Sequence, residues 1–371
     1  MRNILDMPDR FLRACRRELV DRTPVWFMRQ AGRSLPEYRK IKERYSLLEI
    51  SRQPELCAQV TLQPVRRLGV DAAILYADIM TPLVAVGVDL DIVEGTGPVV
   101  AHPIRTQDDL AALRPLEPAH DIPHVQETIR ILRRELAATE TPLIGFAGAP
   151  FTLAAYLVEG KPSRDYARTK QLMYGQPELW HTLMERLTDI VIGYARGQIA
   201  AGIQAFQLFD SWIGALGPRD YARYIQPHVR RIFAAHADPD ASGAGAERVP
   251  LIHFGPGTAG LLELMADAGG DVIGLDWRVT LEDGWRRAGG PERVAVQGNL
   301  DPTVLLAPWE VVRVEAAEVL RAAGGRPGHI FNLGHGILPQ TPVETLERLV
   351  AFVHDYSSDE ASTIGDATHV D

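Results

Sequence analysis

The chain has 371 residues, which is enough to bury a large core as one α/β barrel or as two smaller domains. Its formal net charge of −9 argues against a general nucleic-acid-binding or anionic-membrane-binding surface. An anionic ligand would therefore need a local basic pocket. The two cysteines, Cys15 and Cys57, provide no disulfide framework. The N-terminus lacks the apolar core of a signal peptide, and the most apolar window, residues 142–158, falls short of a membrane span, so we expect a cytoplasmic protein.

The first predicted strand is followed by a cluster of basic residues in this otherwise acidic chain. Val25 to Met28 form a short apolar run between a proline and a glycine turn, which is typical of a buried strand. Arg29 and Arg33 follow it closely, and two guanidinium groups at this spacing suit carboxylates or phosphates. An isolated pair of this kind is more often two solvated loop charges. The functional interpretation therefore depends on the rest of the chain.

Further strand-like runs alternate with amphipathic helical segments along the chain. Eight runs in one chain of this length fit a (β/α)₈ barrel of the TIM type better than an open doubly wound sheet. Helix starts are indicated at Thr106, Thr280 and Thr341, each with an acidic residue three positions later. The predicted strands are 25–28, 72–76, 143–146, 205–209, 250–254, 272–275, 294–297 and 330–333.

The sequence also predicts additions to a minimal barrel. Residues 87–98 alternate apolar and polar side chains before a glycine-rich turn, which indicates a β-hairpin inserted after the second strand. Residues 237–247 are of low complexity and predict a surface loop. No linker divides the chain, so we expect one barrel domain over residues 1–356, including an N-terminal helical segment. We expect a disordered tail over residues 357–371.

Polar residues follow several predicted strands, where barrel enzymes place their chemistry. Asp78 follows the second strand, Tyr156 lies beyond the third, Ser211 follows the fourth and His335 follows the eighth. Asp78 and Ser211 have an alternative explanation as helix or turn caps, and Tyr156 has one as a core residue. His335 lies between two glycines and is harder to explain as core. We assign structural roles to His253, Asp276 and Asp301.

At this point several motifs resemble those of the uroporphyrinogen decarboxylase family, whose members remove four acetate carboxyls in haem synthesis. The resemblance extends from about residue 3 to residue 356, and the motifs occur in the family's order. The first two are FMRQAGRSLPEYR at 27–39 and GFAGAPFTLAAY at 145–156. The later ones are QLFDSW at 207–212, QGNLDP at 297–302 and NLGHGI at 332–337.

The resemblance implies roles for individual residues. Arg29 and Arg33 would bind substrate carboxylates, and Asp78 would contact the pyrrole N–H groups. Because the protonated ring carries a positive charge that the substrate lacks, a buried carboxylate favours the intermediate, and we expect Asp78 to be the principal catalytic residue. Tyr156, Ser211 and His335 would lie in the pocket, with Tyr156 and His335 assisting catalysis. The resemblance also implies a homodimer. The full set predicted to contact substrate comprises Met28, Arg29, Gln30, Ala31, Gly32, Arg33, Asp78, Ile79, Phe146, Tyr156, Phe209, Ser211 and His335.

The reaction of this family needs no cofactor, and the sequence contains no cofactor-binding motif. Protonating a pyrrole ring carbon turns the ring into an electron sink, so loss of CO₂ requires no cofactor. The sequence contains no Walker loop, no Rossmann glycine fingerprint and no cysteine/histidine metal cluster, so we expect neither a cofactor nor a metal. The proton donor stays open between the arginines and a water that they position.

Two other functions remain as alternatives. One is a barrel methyltransferase of the corrinoid or methionine-synthesising kind, which would need zinc ligands at strand ends, whereas Cys15 and Cys57 fall in predicted N-terminal helices. The other is a tetrapyrrole-binding protein without catalysis. The combination of Asp78 with two arginines weighs against it, since binding alone would not need it.

Overall fold

The computed structural model describes residues 9–32, 34–93, 95–237 and 248–356. Arg33, most of the predicted loop at 237–247 and the predicted tail at 357–371 lie outside the described residues. The domain boundary at residue 356 stays a prediction.

Short strands alternate with helices throughout the described chain. The strands are β1 (Ala73–Ile74), β2 (Leu90–Val93), β3 (Gly97–Val100), β4 (Leu143–Gly148), β5 (Ala205–Phe209), β6 (Leu251–Phe254), β7 (Val272–Gly274), β8 (Ala295–Leu300) and β9 (His329–Leu333). The first helices are α1 (Arg10–Cys15), α2 (Pro36–Lys42), α3 (Leu47–Ser51), α4 (Pro54–Leu68), α5 (Thr81–Ala85), α6 (Gln107–Ala111), α7 (Pro118–Asp121) and α8 (Pro123–Leu136). The later ones are α9 (Pro150–Glu159), α10 (Ala167–Gly175), α11 (Pro177–Ala201), α12 (Pro218–Tyr224), α13 (Gln226–Ala237), α14 (Leu262–Ala268), α15 (Leu281–Arg287), α16 (Trp309–Ala323) and α17 (Val343–Asp355).

Seven of the strands form one parallel sheet in the order β1-β4-β5-β6-β7-β8-β9. The order follows the sequence, and the connections contain helices, as expected for a barrel of (β/α) units. Residues along β4 to β9 are almost all buried, which explains why the sequence shows continuous apolar runs there. The predicted TIM-type fold class is confirmed.

The two edges of this sheet meet at Val25. Val25 forms a parallel bridge with Phe331 of β9, and its carbonyl oxygen accepts the Asp71 amide at 2.8 Å, two residues before β1. The Asp71 carboxylate in turn accepts the Val25 amide at 2.8 Å. Backbone hydrogen bonds thus link the last strand to the first through Val25 and close the barrel.

The prediction of a full strand over residues 25–28 is wrong. The Phe27 amide donates to the Gln30 side chain at 3.1 Å, and the Met28 amide donates to the Asn332 side chain at 3.2 Å. Side-chain oxygens therefore take the place of a neighbouring strand's carbonyls, and the β-ladder stops after Val25.

The predicted hairpin is confirmed as an antiparallel pair in which Leu90 lies opposite Val100 and Val93 lies opposite Gly97. The Val100 amide donates to the Gly160 carbonyl at 2.8 Å, which ties the hairpin to the end of α9.

The predicted helix starts are only partly confirmed. The Thr106 and Thr280 side chains accept the amides three residues on and cap α6 and α15. The cap predicted at Thr341 is wrong, because Pro342 has an extended backbone and occupies the N-cap of α17. The Thr341 hydroxyl is instead buried without a hydrogen bond.

Polar side chains cross the apolar interior of the barrel. The Trp26 indole donates to Oε1 of Gln297 at 3.0 Å, and Nε2 of Gln297 donates to Oε1 of Gln207 at 3.3 Å. The Gln207 amide reaches the Met28 sulfur at 3.8 Å. These side chains are almost fully buried. Their contacts therefore hold the Met28 side chain in place from the interior of the barrel.

Candidate active site

The candidate site lies at the end of the sheet where the strands finish. Arg29 follows the closing segment, Asp78 follows β1, Ser211 follows β5 and His335 follows β9. Tyr156 projects from α9, which begins directly after β4. The charge of Arg29 acts on Asp78, Tyr156 and His335, which shows that these four side chains are near one another.

Arg29 occupies a fixed turn although its side chain is exposed. Its φ of 60° lies in the left-handed region, which is costly for a residue with a Cβ. Gln30 holds this turn, since its buried side chain accepts from Phe27 and donates to the Ala72 carbonyl at 3.0 Å. A Cβ added at Gly336 would collide with the aliphatic stem of Arg29, so the loop after β9 packs directly on that arginine.

Asp78 is half-buried at the entrance to α5. Its Oδ1 accepts the Met80 amide at 2.9 Å, and its backbone exchanges hydrogen bonds with the Thr81 hydroxyl. Burial raises the pKa of the Asp78 carboxyl, while the Met80 hydrogen bond and the Arg29 charge act in the opposite direction. One oxygen of the carboxyl group is thus committed to the fold.

Aromatic rings form a wall beside Asp78. Tyr156 lies edge-on to Trp212, with ring centroids 5.8 Å apart, and Tyr166 lies 5.7 Å from the same tryptophan. Burial and the nearby Asp78 carboxylate raise the pKa of Tyr156 to about 12. The Tyr156 hydroxyl is therefore neutral and able to donate a hydrogen bond.

His335 is also neutral at ordinary pH. Burial, followed by the charges of Arg29 and Arg278, lowers the pKa of His335 to about 4. Its Nδ1 accepts the Gly336 amide at 2.7 Å, so the ring proton lies on Nε2. The imidazole can therefore donate a hydrogen bond without carrying a charge.

Of the apolar residues named from the sequence, Phe146 and Phe209 lie on β4 and β5, and Met28 and Ile79 lie outside the strands. Phe146 and Phe209 pack edge to face with centroids 5.4 Å apart, and Phe254 extends this group at 6.1 Å from Phe209. Met28 is buried and Ile79 half-buried. These side chains provide an apolar surface next to the polar groups.

The remaining named residues differ in what the structure says of them. Ala31, Gly32 and Ser211 are half-buried. The Gln30 amide is occupied by backbone groups at both ends, so its side chain positions the turn. Arg33 lies outside the described residues, and its predicted role stays a prediction.

Sequence reasoning missed several residues of this region. Arg278, Trp212 and Tyr166 lie near the named groups, and Gln207 and Gln297 support Met28. Trp212 stands inside the QLFDSW motif directly after Ser211, and its position there was a usable signal. Gln207 opens the same motif and Gln297 opens QGNLDP, so both carried the same signal. Arg278 and Tyr166 carry no signal in sequence spacing alone.

The described residues offer neither a metal site nor a membrane-spanning helix. No group of three or more histidine, cysteine or acidic side chains in the described part of the chain is arranged to hold a metal ion. Cys15 and Cys57 lie buried in α1 and α4, and the Cys57 thiol donates to the Tyr76 carbonyl at 3.0 Å. None of the described helices is long and apolar enough to cross a membrane.

The closed parallel sheet, with its polar groups at the strand ends, places the chain in the class of α/β-barrel enzymes. The family model for uroporphyrinogen decarboxylase matches residues 6–356. The chain belongs to the uroporphyrinogen decarboxylase family.

Individual relatives agree along most of their length. A uroporphyrinogen decarboxylase of Streptomyces coelicolor is 58% identical over 344 residues, which is 93% of each chain. One of Salinispora tropica is 56% identical, covering 94% of this chain and 90% of the relative. One of Thermus thermophilus is 55% identical, covering 94% of this chain and 98% of the relative.

Solved structures share the fold at low identity. A methyltransferase from Methanosarcina mazei superposes with a TM-score of 0.72 and 21% identity, over 93% of this chain and 97% of that one. A B12-independent methionine synthase from a Shewanella species gives 0.51 with 13% identity, over 87% and 90%. At such identities the likeness is one of fold alone.

Proposed function

We propose that this chain is a cofactor-free carboxy-lyase that converts uroporphyrinogen III to coproporphyrinogen III by removing four acetate carboxyls as CO₂. The observation that carries the proposal is the position of the half-buried Asp78 carboxylate beside the Arg29 charge, in a chain of this family. A carboxylate suits a cationic intermediate, and an arginine suits an anionic substrate.

The chemistry begins with protonation of a pyrrole ring carbon next to the acetate arm. The C–CO₂ bond then breaks, and its electron pair flows into the cationic ring, which becomes neutral again. CO₂ leaves, and a second proton turns the remaining exocyclic carbon into a methyl group while the ring carbon loses its added proton. Atoms and charge balance without a redox partner.

Asp78 takes the principal catalytic role in this proposal. The ring carries positive charge in the intermediate and none in the substrate, so a nearby carboxylate stabilises the intermediate selectively. A preorganised electrostatic contact of this kind contributes about 3–4 kcal/mol. The oxygen that does not accept the Met80 amide is the one we assign to the pyrrole N–H groups.

The other polar residues bind and orient. We assign substrate carboxylates to Arg29 and Arg33, and hydrogen bonds from neutral donors to Tyr156 and His335, with Ser211 completing the pocket. An arginine is a poor acid because its pKa lies above about 12. The proton donor therefore stays open between the arginines and a water that they hold.

The macrocycle would lie on the apolar surface formed by Met28, Ile79, Phe146 and Phe209. A pocket with apolar walls and a few convergent polar groups suits a large flexible ligand of this kind. We further propose a single barrel domain, a cytoplasmic location and a homodimer. None of these three is needed for the chemistry above.

The test is anaerobic incubation of the purified protein with reduced uroporphyrinogen III in the presence of a chelator. We expect release of CO₂ and stepwise appearance of seven-, six-, five- and four-carboxylate products by chromatography. Tight binding without turnover would favour the tetrapyrrole-binding alternative. Turnover that disappears with the chelator would contradict a cofactor-free mechanism.

A further inference from the structure

A third arginine stands at the same end of the barrel as the candidate site. Arg278 lies just past the end of β7, and its side chain is 51% exposed. No sequence motif indicated a functional role for Arg278, which follows Asp276 and Trp277 in a predicted loop.

The guanidinium of Arg278 is held in a fixed orientation. Its Nη1 donates to Oδ2 of Asp276 at 2.7 Å, and its backbone amide donates to Oδ1 of the same carboxylate at 3.0 Å. The Gly257 amide adds a bond to Oδ2 at 2.5 Å, and the Asp276 side chain is fully buried. The guanidinium carbon also lies 4.1 Å from the ring centroid of Trp277.

The loop that carries Arg278 is bound to the next two strands. The Asn299 side-chain amide of β8 donates to the Asp276 carbonyl at 2.9 Å and to the Val279 carbonyl at 2.7 Å. A Cβ added at Gly334, next to His335, would lie 2.5 Å from the Trp277 amide, so the loop after β9 packs directly on this one. The position of Arg278 relative to His335 is therefore set by the barrel.

The charge of Arg278 is felt inside the candidate site in spite of its carboxylate partner. Arg278 lowers the pKa of His335, and Asp276 opposes it with a smaller effect. At His335, therefore, the effect of the Arg278 charge exceeds that of its Asp276 partner.

We propose that Arg278 binds a carboxylate on a non-reacting ring of the substrate, at the rim of the barrel mouth. The proposal rests on the function proposed above, which supplies a substrate with eight carboxylates. One guanidinium forms one bidentate pair with a carboxylate, so Arg29 and Arg33 leave most of those groups to be bound elsewhere. Arg278 is pinned in advance, so little side-chain entropy is lost when the ligand binds.

This role has a specific kinetic signature. A contact remote from the reacting carbon is equally strong in the substrate and in the transition state, so its loss raises KM and leaves kcat unchanged. We expect Arg278→Gln to raise KM about tenfold, since charge-assisted hydrogen bonds are lost. Arg278→Lys keeps the positive charge but cannot form two parallel hydrogen bonds with a carboxylate. We expect its KM to lie between the KM of the wild type and that of Arg278→Gln.

The matched control is Arg293→Gln. Arg293 is 48% exposed and pairs with Asp267 at 2.6 Å, but it precedes β8 and so lies at the opposite end of the barrel. We expect its KM and kcat to equal those of the wild type. Thermal melting of all variants checks that the fold is kept, and an NMR titration of His335 should show a higher pKa in Arg278→Gln.

The outcomes separate this proposal from the one on which it rests. Turnover by the wild type with an unchanged KM in Arg278→Gln overturns the role of Arg278. A lower kcat and a lower melting temperature at constant KM would make Arg278 a structural brace, which also overturns it. If the wild type has no turnover, the proposed function fails, and fluorescence titration with oxidised uroporphyrin still compares the two proteins; equal affinities would then defeat the assignment.

Discussion

One carboxyl oxygen of Asp78 accepts the Met80 amide at the entrance to α5, and the other is the one that we assign to the substrate in the proposed mechanism. Sequence reasoning treated a capping role and a catalytic role as alternatives. A carboxylate has two oxygens, so the two roles are compatible at one residue. The cap holds the side chain in place, and rigid placement is what electrostatic catalysis requires.

The first prediction concerns Asp78→Asn. The amide oxygen can still accept from Met80, so the fold and ligand binding should be kept. The negative charge is lost, and we expect kcat to fall about a hundredfold or more, because a single charge-stabilising contact is removed. Steady-state decarboxylation and thermal melting measure the two effects separately.

Asp301→Asn is the matched control for that substitution. Asp301 also follows a barrel strand, and its side chain accepts the Thr303 amide at 2.8 Å, which makes it a cap. We expect a small loss of stability, up to about 1 kcal/mol, with turnover kept. Equal turnover in wild type and Asp78→Asn would remove Asp78 from the mechanism.

Residues at strand ends were predictable from sequence, whereas Arg278 was not. Arg29, Asp78, Tyr156 and His335 were named because apolar runs show where strands finish, and the structure brings these four together. Arg278 is one of 39 lysines and arginines in the chain. It is distinguished by its hydrogen bond to the buried Asp276 carboxylate and by its contact with the Trp277 ring. Those contacts depend on the packing of three loops, which local sequence does not encode.

At the scale of elements, the segment after Val25 shows the limit of hydrophobic patterns. The apolar run at 25–28 correctly indicated burial beside β9. A hydrophobic pattern does not indicate which acceptor each amide will find. The amides of Phe27 and Met28 find the side chains of Gln30 and Asn332, and the ladder ends.

The second prediction concerns Gln30→Leu. The substitution keeps the volume approximately but leaves the buried Phe27 amide without an acceptor and removes the bond to Ala72. We expect the free energy of unfolding to fall by about 2–4 kcal/mol. KM should rise as well, since Arg29 is the preceding residue in the same turn.

Gln53→Leu provides the comparison for urea denaturation. Gln53 is exposed, and its side-chain amide donates to the Glu49 carbonyl at 3.0 Å on the surface. A change within about 0.5 kcal/mol is expected there. If both variants unfold at the same urea concentration as the wild type, the Gln30 side chain does not hold the turn.

At the scale of the whole molecule, four of the described histidines have a pKa far below the ordinary value. Burial lowers the pKa of His228, His236, His329 and His335 from 6.5 to about 4. Each binds a proton more readily in the unfolded chain than in the folded one. The folded state is therefore favoured most above pH 6.5, and this advantage is lost as the pH falls toward 4.

The third prediction follows from the lowered pKa of these histidines. Between pH 6.5 and 4.5 the free energy of unfolding should fall steadily, with protons taken up on unfolding. Carboxyl groups with lowered pKa, such as Glu49 and Asp109, act in the same direction mainly below this window. Urea denaturation at half-unit intervals of pH measures the slope, and a flat profile across the window would show that these histidines are protonated in the folded protein.

The whole architecture was more predictable than its details. Alternation of apolar runs with helical segments indicated a barrel because each parallel strand needs a covering helix. The hairpin after β1 was readable from its glycine turn. The pairing that closes the sheet was not readable, because it joins residues far apart in sequence.

That closure has a consequence for synthesis of the protein. The Met28 amide and its Asn332 acceptor are separated by 304 positions in the chain. On a ribosome, the segment that carries Arg29 emerges early and waits for its partner strand until most of the polypeptide has been translated. A nascent chain therefore lacks the hydrogen bond that positions the segment before Arg29 until β9 has been made.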